Sequence, residues 1–216
     1  MKAIRLIKPR RRTYQSGDKE GIYRVCLQTG DAGQDASALY KNASLLGDLY
    51  VGPYLAFQPE HAWVIEDDVG ICGYVLAVKD TSCYQNWFMT EWLPEIQKNR
   101  QAPVSGVEPE SPDDALLASL FDFSMYQPSW LPLFPAHFHI ELLERIQGKG
   151  YGTQWMMEML KSLQKQGCQG VHLGMHPDNK RALSFYEKLG FEVLEHADLP
   201  WEEVLYLGKD LKEEAF

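Results

Sequence analysis

The sequence is short of the features that mark disulfide scaffolds, metal sites, membrane spans and nucleic-acid binders. Its four cysteines, Cys26, Cys72, Cys83 and Cys168, form no C-x-x-C pair. No Cys/His spacing matches a zinc site, so free thiols in a reducing compartment and no metal are expected. No apolar run is long enough to cross a bilayer. The N-terminal stretch MKAIRLIKPRRRTYQSG has no apolar core of the kind a secretory signal needs, so a soluble, cytoplasmic protein is expected. Positive charge is also scarce: 21 Lys and Arg stand against 30 Asp and Glu, for a net charge of -9. A nucleic-acid binder shows a basic footprint, so neither a nucleic-acid nor a membrane partner is expected. The acidic balance is first of all that of an ordinary acidic soluble protein, and it is at least compatible with a cationic substrate such as an amine or a Lys-bearing peptide. There are no internal repeats.

Apolar residues make up 45% of the 216 positions and aromatics 12%, ample for one large core. Residues 3–8 alternate weakly and read as an edge strand, followed by a solvated Arg10-Arg11-Arg12 run. Ser16 to Glu20 reads as a helix start ahead of Ile22, Val25 and Cys26. Gly47 to Pro59 is aromatic and broken by prolines, and reads as irregular structure. Ala62–Glu66 and Ile71–Val78, separated by Asp67-Asp68-Val69-Gly70, read as a hairpin. Residues 80–130 differ in character, with aromatics at helical spacing, a Pro- and acid-rich loop and a second short helix; they read as a helical insertion within a single domain of residues 1–216. The last third alternates strand and helix: Ala136–Leu143, Thr153–Gln166, Gly170–Met175, Asn179–Leu189 and Val204–Leu207. That order indicates an α/β (α+β) sheet.

The chemistry-bearing segment joins the strand Ile140-Glu141-Leu142 to the loop Gln147-Gly148-Lys149-Gly150-Tyr151-Gly152-Thr153 and an amphipathic helix. Glycines let backbone approach a ligand closely, and free amides at a helix N-terminus attract phosphate. The loop lacks the register of a dinucleotide fingerprint and the Gly-Lys-Ser/Thr close of a P-loop. By itself it is a generic anion site, or a glycine-rich turn with no ligand.

Downstream, the helix from Asn179 through Ala182, Tyr186 and Lys188 to Gly190-Phe191 carries a second motif. Together the two segments resemble the GNAT acetyltransferase superfamily, with its Q/R-x-x-G-x-G/A loop and N-x-x-A-x-x-x-Y-x-x-x-G-F helix. The resemblance implies a mixed central sheet with a splayed pair of parallel strands at the cofactor site, flanked by helices, and a helical insertion between the third and fourth strands. It implies acetyl-CoA as acyl donor and an amine acceptor, with Gln147 to Thr153 on the pyrophosphate, the backbone of Ile140, Glu141 and Leu142 on pantetheine, Asn179 on CoA, and Tyr186 as proton donor to the thiolate. Lys188 lies where a cation could reach the nucleotide phosphate. Tyr23-Arg24-Val25-Cys26-Leu27, Gly47-Asp48, Val51-Gly52-Pro53-Tyr54-Leu55 and Cys72-Gly73-Tyr74-Val75-Leu76 look like the acetyltransferase-like C-terminal domain of O-GlcNAcase and its bacterial relatives. The resemblance thereby extends over most of the chain. A monomer or homodimer is expected.

Along the strand, alternation puts Phe138, Ile140 and Leu142 on one face and His137, His139 and Glu141 on the other. A central strand covered on both sides should be apolar on both. Three titratable groups in a row suggest a wet cleft and a general base among them, Glu141 and His139 jointly with His137 behind. The alternative is a structural polar network or a solvent-facing strand edge. His172 and His176 could extend the network. Two other functions remain open: a non-catalytic binding module, and transfer of a longer acyl group or to an alcohol. For the insertion, Trp87 and Trp92 either line the acceptor cleft or pack on the sheet.

Overall fold

The computed structural model describes residues 8–98, 100–104, 106–199 and 203–212. One seven-stranded sheet runs in the order β1-β2-β3-β4-β5-β7-β6. The strands are β1 (Arg10–Thr13), β2 (Ala62–Asp67), β3 (Gly70–Val78), β4 (Ala136–Leu142), β5 (Gly170–Met175), β6 (Glu192–Asp198) and β7 (Glu203–Asp210). Every neighbouring pair is antiparallel except β4 with β5, so the sheet is mixed.

The strand expected over residues 3–8 lies outside the described residues except for Lys8, which is not in a strand. The arginine run, expected to be a solvated stretch, is instead the edge strand β1. Period-two alternation explains why arginines suit it. Arg10 and Arg12 turn to one face, where both reach Glu66 and Arg12 forms a two-pronged pair with Asp18 at 2.6 and 2.7 Å. Arg11 turns to the other face, with its guanidinium 4.0 Å from the centre of the Trp63 ring. The hydrogen bonds from Arg12 hold the Asp18 carboxyl below its usual range, against the opposing effect of burial.

Helices cover both faces. On one side lie α1 (Lys19–Leu27), α2 (Leu45–Tyr50), α3 (Gly52–Phe57), α4 (Thr81–Trp87), α5 (Leu93–Gln97) and α6 (Pro112–Phe121), packed on Val64, Tyr74 and Leu76. On the other lie α7 (Tyr151–Lys165) and α8 (Lys180–Lys188), over Ile65, Val75, Phe138 and Leu207. Five apolar side chains of α7, Trp155, Met156, Met159, Leu160 and Leu163, are buried, each contributing about 2 kcal/mol of transfer free energy. Gly167 follows α7 with φ +86°, the left-handed stop that glycine permits.

The segment 47–59 is not irregular: it forms most of α2 and all of α3. Its Pro53 stands in the first turn of α3, where no amide donor is needed. Gly47 and Gly52 lie directly against the Tyr23 side chain, closer than a Cβ would permit. The segment between β3 and β4 holds α4, a π-helical turn over Phe88–Trp92, α5 and α6. The Asp113 carboxylate on α6 accepts from the amides of Lys41 and Asn42 at 2.8 and 2.9 Å, tying this segment back to the loop before α2. A second unexpected strand is β6. Its sequence EVLEHAD has no clean alternation, and its register against β7 shifts between Val193 and Glu195.

Candidate active site

The site begins where two central strands part. The Leu143 amide donates to the carbonyl of Cys72 at 2.8 Å. In an antiparallel ladder this turns the odd-numbered residues of β4 toward β3 and the amides of Ile140 and Leu142 toward β5. β4 keeps unbroken register with β3 from His137 to Leu142. Its ladder with β5, however, holds only Ala136–Val171 and His137–His172, although β4 continues to Leu142 and β5 to Met175. The backbone of Ile140 and Leu142 therefore faces a gap. Gln147 partly fills it, its side-chain Nε2 donating to the Leu142 carbonyl.

Next to the gap lies the glycine loop. Gly148 and Gly150 have φ of +68° and +82°, and nothing stands within 4 Å of where a Cβ would project. Such a backbone is open to a ligand and strained for any other residue. The first hydrogen bond within α7 runs from the Gln154 amide to the Gly150 carbonyl at 3.1 Å. The amides of Tyr151, Gly152 and Thr153 stand before it and take no partner among the described residues, which leaves them to an outside acceptor. The side chains of Lys149 and Tyr151 turn elsewhere: Lys149 donates to the Arg145 carbonyl, and Tyr151 stacks on Trp155 at 5.3 Å.

From the far side α8 points in. Asn179 caps it, accepting from the Ala182 amide at 3.0 Å. Arg181 donates to Oε1 of Gln147, linking α8 to the loop. Arg181, Lys188 and Asn179 all line the cleft. Arg181 stands inside the helix motif but had no role in the sequence reading.

The cleft has a volume of ≈ 1520 Å³ and joins the loop and strand gap to the face of β4 that carries His137, His139 and Glu141. Tyr186 forms part of its wall. The ring packs among Phe138, Phe185 and Phe191 at 5.2 to 5.9 Å. Burial pushes its phenol far above the usual range, with the Glu141 charge adding to the effect, so the hydroxyl stays protonated. His139 Nδ1 donates to the Tyr50 carbonyl at 3.1 Å. Its Nε2 lies 3.4 Å from the Tyr74 hydroxyl and 3.6 Å from Glu141 Oε1. His137 is buried between Tyr54 and Tyr84, with Thr81 and His172 alongside. His172 thus joins the network. His176, past the end of β5, is exposed and accepts from the Asp178 amide.

Trp87 and Trp92 are not in the cleft wall. Trp87 packs on Phe57 and Trp92, and the Trp92 indole donates to the Asp48 carbonyl at 2.9 Å. Tyr84, Phe88, Phe123, Tyr126 and Trp130 from the same segment line the cleft instead. Tyr54, from α3, joins them; its stretch carried a resemblance in the sequence but no site role.

Residues 124–191 match the family model described as Acetyltransferase (GNAT) family. The crystal structure of SsHAT aligns at 33% identity, covering 95% of this chain and 100% of that one, with a TM-score of 0.82. The chain belongs to the GNAT acetyltransferase family. It is also 27% identical over 201 residues to Protein O-GlcNAcase of Rattus norvegicus and of Mus musculus, covering 93% of this chain. It spans only 22% of the length of those relatives. At fold level, the structure of yncA from Salmonella typhimurium with its cofactor acetyl-CoA matches at 12% identity and a TM-score of 0.53.

Proposed function

We propose that this protein transfers an acetyl group from acetyl-CoA to a primary amine, on a small molecule or a peptide lysine, by direct attack of the amine on the thioester. The observation that carries the reading is one cleft joining three things: a loop of unpaired amides, an open strand edge, and proton-carrying side chains. The residues suit the donor. The amides of Tyr151, Gly152 and Thr153, with Arg181 and Lys188 nearby, match a pyrophosphate. The exposed edge at Ile140 and Leu142 matches an amide-bearing arm that pairs like an added strand.

Acetyl-CoA supplies an activated acyl carbon. The amide of Leu142 faces the gap and is the group to hold negative charge as it develops on the carbonyl oxygen. An alkylamine with a pKa of about 10 arrives protonated and must lose a proton before it attacks. Glu141 and His139, adjacent on one face of β4, are the acceptors for it. Tyr186, kept protonated by burial, delivers its proton to the departing sulfur.

Titration calorimetry with acetyl-CoA is the first test, and no binding ends this reading. A thiol-release assay over an amine panel is the second. Binding without turnover for any amine supports the alternative, a non-catalytic acetyl-CoA- or protein-binding module; the similarity to part of a much longer protein keeps that alternative in view. Varying acyl length in the same assay tests whether acetyl is the preferred group.

A further inference from the structure

His137 is held by a contact that the steps above do not use. Its Nδ1 lies 2.7 Å from Oγ1 of Thr81, at the start of α4. The same Oγ1 lies 2.8 Å from the carbonyl oxygen of Pro135. A carbonyl only accepts, and a threonine hydroxyl carries one proton. The Pro135 carbonyl also accepts from the Thr81 amide at 2.8 Å. Two oxygens 2.8 Å apart still need a proton between them, and only the hydroxyl has one. It therefore goes to Pro135, and the short contact with His137 is donated by the imidazole Nδ1–H. The lone pair of the neutral ring is then on Nε2. Among the described residues Nε2 takes no hydrogen bond, and His137 lines the cleft.

The surroundings keep the ring uncharged. Tyr54 and Tyr84 meet it edge-on at 5.2 and 4.9 Å, from α3 and α4. His172 lies 5.6 Å away on β5, its own Nδ1 donating to the Phe134 carbonyl at 2.7 Å. His139 follows on the same face of β4, with Glu141 beyond it. Burial, with His172 and His139 adding, holds His137 well below the usual imidazole value. Burial likewise brings His172 down to about 4. At neutral pH both rings are neutral, and His137 offers a bare acceptor inside an aromatic wall.

We propose that Thr81 is a positioning residue: it locks His137 with Nε2 free toward the cleft, where that nitrogen receives the proton the amine sheds as the C–N bond forms. This rests on the acetyl-transfer reading of the cleft and divides its protons between two acceptors. An ammonium acceptor gives its first proton to Glu141 and His139 and reaches the thioester as the free base. Its lone pair then forms the C–N bond, and the C–S electron pair leaves on sulfur. The surplus N–H proton passes to His137 Nε2, and Tyr186 gives its proton to the sulfur. Solvent takes one proton from the Glu141–His139 pair and one from His137 and returns one to Tyr186, which restores all three and leaves one proton released per turnover. A neutral imidazole is suited to this second step because a newly formed N–H cation is a far stronger acid than an alkylammonium.

The test is nitrogen-resolved NMR of histidine-labelled protein, with turnover and acetyl-CoA titration on the same samples. In the unaltered protein, His137 should report a protonated Nδ1 and a bare Nε2 across neutral pH. Thr81→Val should move the ring toward the other tautomer and lower kcat roughly 10-fold, a fraction of the ~100-fold or more a general base supplies. Its acetyl-CoA affinity should not change. Thr81→Ser, which keeps the hydroxyl, should restore both the tautomer and kcat. A proton on Nε2 of His137 in the unaltered protein overturns the proposal, and so does Thr81→Val with unchanged tautomer and kcat. If Thr81→Val does not fold, the unaltered protein and Thr81→Ser decide the matter. The tautomer readout needs no turnover, so a wrong tautomer refutes this proposal, whereas absent acetyl-CoA binding refutes the reading beneath it.

Discussion

Arg181, in the first turn of α8, donates a hydrogen bond to the side-chain oxygen of Gln147, 34 positions away in the chain. The same Gln147 amide group donates to the Leu142 carbonyl on the open edge of β4. One side chain thereby ties the helix motif, the glycine loop and the strand edge together, and brings a guanidinium to the glycine-loop end of the cleft. Arg181→Ala should weaken acetyl-CoA binding about 10-fold, or about 1.4 kcal/mol, by titration calorimetry. Arg181→Lys should recover only part, because an ammonium lacks the planar fork. Unchanged affinity in both variants would remove Arg181 from the cofactor site.

Gly150 has φ +82° and lies at the head of the α7 amides. Gly150→Glu brings both strain and negative charge to the proposed anion site. Strain of about 1–2 kcal/mol should lower Tm by several degrees. Acetyl-CoA binding should fall below detection. Gly150→Ala separates the two causes, since it carries the strain without the charge. Normal binding by the Glu variant would contradict the loop assignment.

Tyr186→Phe keeps the ring among Phe138, Phe185 and Phe191 and removes only the hydroxyl. Turnover should drop about 100-fold if the hydroxyl is the acid, with acetyl-CoA affinity within about 2-fold. A variant as active as the parent would assign Tyr186 to the core alone.

Acid should destabilise the fold through its buried histidines. His172 goes down to about 4 from 6.5, because burial disfavours its charged form and outweighs the Phe134 and Ala136 carbonyls. The unfolded chain takes up a proton near the ordinary value and the folded chain does not. The stability this group contributes is therefore complete above 6.5 and lost as the pH falls to about 4, roughly 3 kcal/mol in all. His137 acts with the same sign. Denaturant melts at stepped pH should show the decline, and His172→Phe should flatten its slope whatever it does to absolute stability. An equal slope in both proteins would mean that His172 titrates alike in the folded and unfolded chain.

Two tryptophans of the segment between β3 and β4 should behave oppositely. Trp87 packs on Phe57 and Trp92, so Trp87→Ala should cost about 3 kcal/mol in denaturant melts and leave acceptor KM alone. Trp130 lines the cleft beside His172 and Tyr206. Trp130→Ala should raise acceptor KM in the thiol-release assay, and the reverse pattern would exchange their roles.

By itself the sequence determined the parts whose signals are local. The hairpin of β2 and β3 shows as two apolar runs around a turn. Helix α7 shows as five apolar residues on one face with a glycine stop, and the glycine loop and Asn179 cap stand at motif spacing. Alternation along β4 separated His137, His139 and Glu141 from Phe138, Ile140 and Leu142 without any knowledge of the neighbours. Tertiary structure alone decided the rest. The arginines of the edge strand are met by Glu66, Asp18 and Trp63, and the proline-broken stretch folds as helices with Tyr23 closed on Gly47 and Gly52, partners that no local pattern shows. The glycine loop looked like a generic anion site until Arg181 and the parted strands enclosed it. The state of His137 depends on Thr81, 56 positions away, and on one proton that Pro135 claims first. Hydrogen bonds of that kind join segments whose separation along the chain carries no periodicity, so only the folded arrangement assigns donor and acceptor.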